Sequence, residues 1–561
     1  MRVAVVDPGA GGPSSAAERL AAVLSERGPD SITLVSGRPG DYDAVLAASQ
    51  AGCLVCLPPS GRRKGTLDLG EAERLFKSAA QGGIRHVVLI SSAEVYGPRP
   101  HNVGFLAETR PRTYSGRNAV AREWIALEEL AETVLEQVRL TILRPASVLT
   151  ESGDGYLSRL LRGCCAVTLV GHDPTLQLLG QEDLVGAICA ALDRSQGGIY
   201  NVSPDGVIPL RAALRLAKTR RLPLPRSVHR LGRWLLRRAA NVDPVEQVDY
   251  VRYSWTVGNQ KMRSELGFTP SQSSVEALAT FLELTKPRAA PDPATVRDLR
   301  FDDYGLDTRY VASYGRSLIA FLRHVYWRIE HRGLEHIPQG RAVLAGVHRG
   351  FMPLDAVMTL HLIVAERSRC PRFLIHPTLI KMPCQFNFMT KLGGMIACQE
   401  NADYVLERDE LLGVYPEGIH GAFTYYRDAY TLGRFGRDEY VRMALRGRAP
   451  IVPFVTVGTP EIFPIFGKIN WRWWKRFSLW PCFPIAPPFP LLPIPLPTKW
   501  HIQFLEPLHV EETYPPEAAN DKEVVEQITQ EVRRRMQSAI DAMLARRRHI
   551  FFGSIFKRET N

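Results

Sequence analysis

A chain of 561 residues exceeds the size at which one hydrophobic core keeps growing, so two or more domains are expected. Apolar residues at 45% and charged residues at 23% exclude a disordered chain and a multi-spanning membrane protein. The net charge of +12 asks for an anionic partner: a membrane surface, a phosphorylated cofactor or nucleic acid.

RVAVVD (2–7) reads as a first β-strand, which argues against a signal peptide. Gly9, Gly11 and Gly12 follow, and Ser15 with Glu18 makes a capping box for a helix through Ser25. Strand, glycine turn and helix receive a dinucleotide, because glycines let the backbone approach a pyrophosphate lying at the helix N-terminus. ITLVS (32–36), GCLVCL (52–57), a helix over about 69–80 and HVVLISS (86–92) continue the alternation and predict a doubly wound parallel sheet. Arg38 could meet the 2′-phosphate of NADP or be a solvated arginine. Nine scattered cysteines suit a reducing cytosol better than a disulfide framework, and Cys53 and Cys56, inside an apolar run, are read as core.

VVLISSAEVYG (87–97), LTILRPASV (140–148), GHDPTLQLLGQEDLVGAI (171–188), GIYNVSPDG (198–206) and RSELGFTP (263–270) stand in the order of landmarks of the extended short-chain dehydrogenase/reductase (NAD-dependent epimerase/dehydratase) family. Residues 1–286 resemble that family, which implies a Rossmann-like domain, NAD(P) as a possible cofactor, and Ser92 at the position of the family's catalytic serine. The Tyr-x-x-x-Lys pair is not kept. In TYSGRNAVAREW (113–124), Tyr114 is followed four residues later by Asn118, and Arg122 has a fixed charge and a fork geometry that do not replace lysine. The expectation is a family fold with redox chemistry lost, serving cofactor binding or scaffolding through Gly9, Gly11, Gly12, Arg38 and Ser92.

PRAAPDP (287–293) opens a stretch read as a semi-rigid linker, 287–299, before a second domain over 300–561. Tyr310 to Arg332 is amphipathic, with Tyr314, Leu318, Phe321, Leu322 and Val325 at helical spacing; it either packs on its own domain or lies in a membrane interface. In RAVLAGVHRGFMPLD (341–355) an apolar strand delivers His348, Gly350 and Pro353 turn the chain, and Asp355 heads a helix-capable segment. A histidine at a strand end with a carboxylate on the next helix suits general-base chemistry. A buried structural histidine beside a capping aspartate is the other reading. KLGGMIACQENA (391–402), LLGVYPEGIHG (411–421) and APIVPFVTVG (449–458) are further apolar strands, and the first two deliver polar residues at their ends, as parallel α/β sites are assembled.

In this order the four segments resemble the motif blocks of the glycerophospholipid (lysophospholipid-type) acyltransferase superfamily, over about residues 300–515. The resemblance implies a second α/β domain that moves an acyl group from acyl-CoA or acyl-carrier protein to a lipid hydroxyl. His348 would be the base and Asp355 its orienter, and Pro416, Glu417, Gly418, His420 and Asn401 would supply the acceptor pocket. The chain departs from the family pattern in three places. Six residues separate His348 from Asp355 instead of four, Gln399, Glu400 and Asn401 stand where an arginine commonly closes the second block, and Ile419 and His420 replace Thr-Arg. Losing both arginines favours a neutral acceptor such as diacylglycerol, monoacylglycerol or a long-chain alcohol. Arg427, Arg434 and Arg437 could instead bind phosphate, of an acceptor or of CoA. The alternatives are a lysophosphatidate-type acyltransferase, a bifunctional NADP-dependent reductase and acyltransferase, and a non-catalytic membrane scaffold.

Trp471, Trp473, Trp474 and Trp480 beside Arg472, Lys475 and Arg476 suit a lipid headgroup layer. Stacking on nucleic acid uses the same residue types and ranks lower within an acyltransferase-like domain. A helix over about 521–548 ends in three arginines, and HIFFGSIF (549–556) follows it. No apolar run is long enough to span a bilayer, and no metal-ligand cluster is evident. The expected location is peripheral, on the cytoplasmic face of an anionic membrane; oligomeric state is open.

Overall fold

The computed structural model describes the chain apart from residues 1, 8–14, 27–31, 37–41, 58–67, 100–101, 103, 113–118, 152–154, 226–247, 300, 351, 378, 380–381, 434, 436–437, 472–479, 493 and 557–561. The chain divides into two compact units, Met1–Gly305 and Leu306–Asn561.

The first unit is built on six parallel strands: β1 (Val3–Asp7), β2 (Ile32–Ser36), β3 (Cys53–Cys56), β4 (His86–Ile90), β5 (Arg139–Pro145) and β6 (Gly198–Val202), in the order β6-β5-β4-β3-β1-β2. Strand alternation sends Val3 and Val5 into one core with the helices Ser15–Glu26 and Gln181–Arg194, and Ala4 and Val6 into another with Leu69–Gln81 and Ala119–Val134. Both sheet faces are therefore covered, which explains why these strands read as continuous apolar runs. The order reverses between β1 and β3, the crevice where such Rossmann-like sheets take ligands. Cys53 and Cys56 are buried there as core residues.

Residues 287–299 are not a free linker. Pro293–Asp298 is a short helix capped by Asp292, and Val296, Leu299 and Phe301 pack on the first unit's core. The three prolines end one helix and start another, which moves the division to 305/306.

The second unit has seven strands: β7 (Glu330–Arg332), β8 (Ala342–Gly346), β9 (Arg372–Ile375), β10 (Met395–Ile396), β11 (Leu411–Val414), β12 (Ile451–Val457) and β13 (His501–Phe504). Their order is β7-β13-β12-β8-β11-β9-β10, parallel except for the β12–β13 pair. β8 is central and fully buried; at its end Gly346 lies under the Phe454 ring, where a Cβ would collide. The amphipathic stretch is the helix Thr308–Tyr314 continued by two π-turns, Gly315–Ile319 and Leu322–Tyr326. Its apolar stripe splits: Tyr314 and Leu322 pack on the core, while Leu318, Phe321 and Val325 stay exposed. The C-terminal helix, Lys522–Arg546, is capped by Asp521 and buries Val525, Ile528, Val532, Met536, Ile540 and Met543 at three- and four-residue spacing, against β12. Among the described residues no helix is long and apolar enough to cross a membrane.

Candidate active site

The central strand β8 ends at Gly346, and two residues later the chain presents His348. Its Nδ1 lies 2.9 and 2.7 Å from the two carboxylate oxygens of Asp355, the second residue of the helix Leu354–Arg367. A carboxylate only accepts, so Nδ1 carries the proton and Nε2 keeps its lone pair. Gly350, at φ 103°, makes the turn that brings the two side chains together across six intervening residues. Asp355 is 2% exposed and also accepts from the backbone N–H groups of Arg349 and Ala356, which fixes it. The Tyr415 ring packs 5.4 Å from the imidazole, and burial, with the Asp355 charge beside it, pushes its phenol well up.

His348 lines a cleft of about 660 Å³ between the ends of β8, β9 and β11, a size suited to an organic substrate. Pro416, Glu417, Gly418 and His420 line it too, so the structure brings these four together with the His348–Asp355 pair. Much of the wall is apolar: Phe373, Leu379, Met389, Ile419, Phe423, Met443 and Trp480. Its polar members include His348, His376, Gln385, Gln399, Tyr415, Glu417, His420, Glu439 and Tyr440; among the described lining residues there is no arginine or lysine. Asn401 is not brought to the cleft. It is 1% exposed and its amide donates to the Ile396 carbonyl, because the second block passes from the two-residue β10 into the helix Gln399–Glu407 instead of a polar turn. Cys398 and Gln399 take the cleft positions. Arg434 and Arg437 lie outside the described residues. Arg427 is exposed and paired with Asp428.

One residue that carries the site went unread in the sequence. Arg349 is 3% exposed and its guanidinium donates to the Gly421 and Thr431 carbonyls, to Thr424 Oγ1 at 2.8 Å and to Glu417 Oε1 at 3.0 Å. Gly433 N–H donates to the same Glu417 oxygen at 2.8 Å. A charged residue directly after the histidine, at the end of an apolar strand, was the available signal. His509, Glu511 and Glu512 form a cluster at metal-ligand spacing that was also unforeseen; it is largely exposed and remote in sequence from the cleft.

In the first unit, Gly9, Gly11, Gly12 and Arg38, with Tyr114 and Asn118, lie outside the described residues. Ser92 caps the short helix Ala93–Tyr96, its Oγ accepting from Glu94 N–H at 3.1 Å. Tyr96 donates to Asn201 and accepts from Arg144, whose guanidinium forks onto buried Glu128. Tyr250, Trp255 and Val257 fill the space beside them. Among the described residues these side chains have structural duties, and no proton-transfer pair is assembled around Ser92.

The acyltransferase family profile matches residues 328–457. An uncharacterised protein of Mycobacterium tuberculosis (strain ATCC 25618 / H37Rv) is 36% identical over 266 residues, 46% of this chain and 73% of that protein. One of Mycobacterium leprae (strain TN) is 34% identical over 264 residues, 46% of this chain and 71% of its own length. A different Mycobacterium tuberculosis protein, also uncharacterised, is 30% identical over 284 residues, 49% and 74% respectively. Solved structures similar in fold include MoeE5 in complex with UDP-glucuronic acid and NAD (18% identity, 51% of this chain, 100% of that one, TM-score 0.40). Another is UDP-glucuronic acid 4-epimerase from Bacillus cereus (13% identity, 51% and 100%, TM-score 0.40).

Proposed function

The chain shares a family with each of the mycobacterial proteins it matches and carries an acyltransferase domain, and from that premise we propose that it transfers a fatty acyl group from an acyl thioester to the hydroxyl of a neutral lipid. The observation that carries this reading is His348, lining a largely apolar cleft with Nδ1 locked onto buried Asp355. Nε2 takes the proton of the acceptor hydroxyl as its oxygen attacks the thioester carbonyl. The tetrahedral intermediate expels the thiolate, the C–S bond breaks, and the imidazolium returns the proton to sulfur. Asp355 holds the tautomer and steadies the imidazolium. Acyl-CoA and acyl-carrier protein both supply such a thioester.

The described lining of the cleft supports a neutral acceptor, since a phosphorylated one asks for forked or fixed cations and none is among the described lining residues. Among the described lining residues the polar groups are imidazoles, amides, phenols and carboxylates, which suit a hydroxyl-bearing headgroup. NAD(P) binding by the first unit rests on the strand, glycine turn and helix that open it, and no redox step is assigned there.

Thiol release from palmitoyl-CoA tests the proposal, with diacylglycerol, monoacylglycerol, hexadecanol and lysophosphatidate as acceptors. The neutral lipids are expected to turn over faster, and His348→Ala to lower turnover by about 10³-fold with an unchanged fold. Near wild-type turnover in the variant would overturn the base assignment. A clear preference for lysophosphatidate would overturn the acceptor class.

A further inference from the structure

Three sequence-distant segments of the second unit expose large apolar side chains on one fixed frame. On the opening helical stretch, Leu318, Phe321 and Val325 are 51%, 49% and 59% exposed. The proline-rich loop adds Leu491 at 96%, with Leu492 and Ile494 near half. The C-terminal tail adds Phe551 and Phe552, the latter at 72%. Hydrogen bonds join the three. Tyr326 donates its hydroxyl to the Pro495 carbonyl at 2.6 Å, and Trp327 Nε1 donates to the Leu496 carbonyl at 3.1 Å. Arg328 donates to the carbonyls of both Pro497 and Phe551, at 2.9 and 2.8 Å, and Lys499 N–H donates to the Ile550 carbonyl. Every one of these tethers ends on a backbone carbonyl, so it fixes the chain without covering the exposed side chains.

Single exposed leucines are ordinary in soluble proteins, but large apolar side chains gathered on three segments tied to one another mark a contact. Two observations choose its occupant. Arg316 on the same helical stretch, and Arg546 and Arg548 just before the tail, are exposed, in a chain of net charge +12. A second copy of this face would bring like charges together, whereas an anionic surface complements them. The loop that carries Leu491 also runs back to the cleft wall: the Phe489 ring stacks edge-on at 5.8 Å against Trp480, which lines the cleft.

We propose that this three-segment surface docks the protein on an anionic lipid bilayer. The apolar side chains enter the acyl boundary and the arginines meet the headgroups. The choice of a lipid surface rests on the lipid acyltransferase reading above, and the experiment separates the two.

Full-length protein is sedimented with vesicles of phosphatidylcholine alone and of phosphatidylcholine mixed with phosphatidylglycerol. The wild type is expected to pellet with the mixed vesicles, more weakly at high salt. The double variant Leu491→Glu, Ile494→Glu is expected to bind about tenfold or more weakly, while keeping the wild-type melting curve and thiol release with a detergent-dispersed acceptor. Equal pelleting of variant and wild type, or a wild type that stays in the supernatant with both vesicles, overturns the proposal. So does a wild-type dimer in sedimentation equilibrium that the double variant dissolves, since a second copy is then the occupant. A wild type that binds vesicles but releases no thiol with any acceptor overturns the acyltransferase reading alone.

Discussion

The chemistry of the site is set by which buried polar group answers which. Asp355 accepts from His348 Nδ1 and from two backbone N–H groups, so replacing it changes more than one charge. In Asp355→Asn the amide can present a donor to Nδ1, favouring the wrong tautomer, and turnover is expected to fall by about 10³–10⁴-fold with the fold retained. A pH–rate profile and a melting curve on the same preparation check both halves of that statement. Arg349 is the complementary case. Its fork serves Glu417, Thr424 and two carbonyls from a site 3% exposed, so Arg349→Met leaves a buried carboxylate without its cation and should cost about 3 kcal/mol in urea unfolding. Arg349→Lys should recover only part of this, because a point charge cannot reach all four acceptors. Full recovery of stability and turnover with lysine would refute the role given to the fork. His348 and Glu417 were legible in the sequence because each follows the end of an apolar strand, and Asp355 because it heads the helix-capable segment after the first of them. The Arg349–Glu417 contact was not, because it joins residues 68 positions apart through a loop with no periodic pattern.

At the level of elements, the strands were the most legible part: 2–7, 32–36, 52–57 and 86–92 are apolar runs punctuated by glycine, proline or serine, and the sheet uses each of them. The helix Gln399–Glu407 was missed because its first turn is polar and its strand has only two residues. The linker was misread because prolines that start a helix look the same as prolines that stop one. What no local pattern could reveal is the service of the C-terminal helix to the site. Gln537 accepts from Leu432 N–H and donates to the Tyr430 carbonyl, and Arg533 donates to the carbonyls of Leu432 and Gly433. Just past the helix end, Arg547 donates to the Tyr430 hydroxyl at 3.0 Å and pairs with Glu461. The loop 430–433 braced this way carries the Gly433 N–H that donates to Glu417. Arg547→Ala therefore takes the cation from a buried glutamate 86 residues away, leaving it the Tyr430 hydroxyl, and loosens that loop. The expectation is a loss of about 3 kcal/mol in the second unit, with lowered turnover. Hydrogen exchange at 430–433 measures the loosening, and unchanged exchange there would refute it.

Across the whole molecule, the two units carry buried titrating groups that give them different responses to acid. His86 in the first unit and His501 in the second are each 1% exposed, and burial holds each imidazole down to about 4. Both are neutral in the folded chain and take up a proton once unfolded. Their contribution is therefore fully present above pH 6.5 and is lost as pH falls through about 4, about 2–3 kcal/mol each. The first unit also holds Glu94, whose carboxyl burial raises to about 7 despite hydrogen bonds from Trp124 and Tyr250. A raised carboxyl has the opposite sign: its contribution is present below its ordinary range and is lost as pH rises through 7. In the first unit the two slopes oppose each other between pH 7 and 4.5. In the second, no carboxyl among the described residues is raised as far as Glu94 to oppose His501, and Glu330, held low chiefly by Lys499 and Ser554, adds a further loss only once pH falls below its ordinary value of 4.5. Followed by hydrogen exchange in each unit separately, acidification from pH 7 to 4.5 should weaken the second unit more than the first. Glu94→Gln should make the first unit acid-sensitive by removing the opposing slope, and His501→Asn should lessen the decline of the second, where burial also holds His331 and His361 low. An equal decline in both units of the wild type would mean that these four groups do not govern the response.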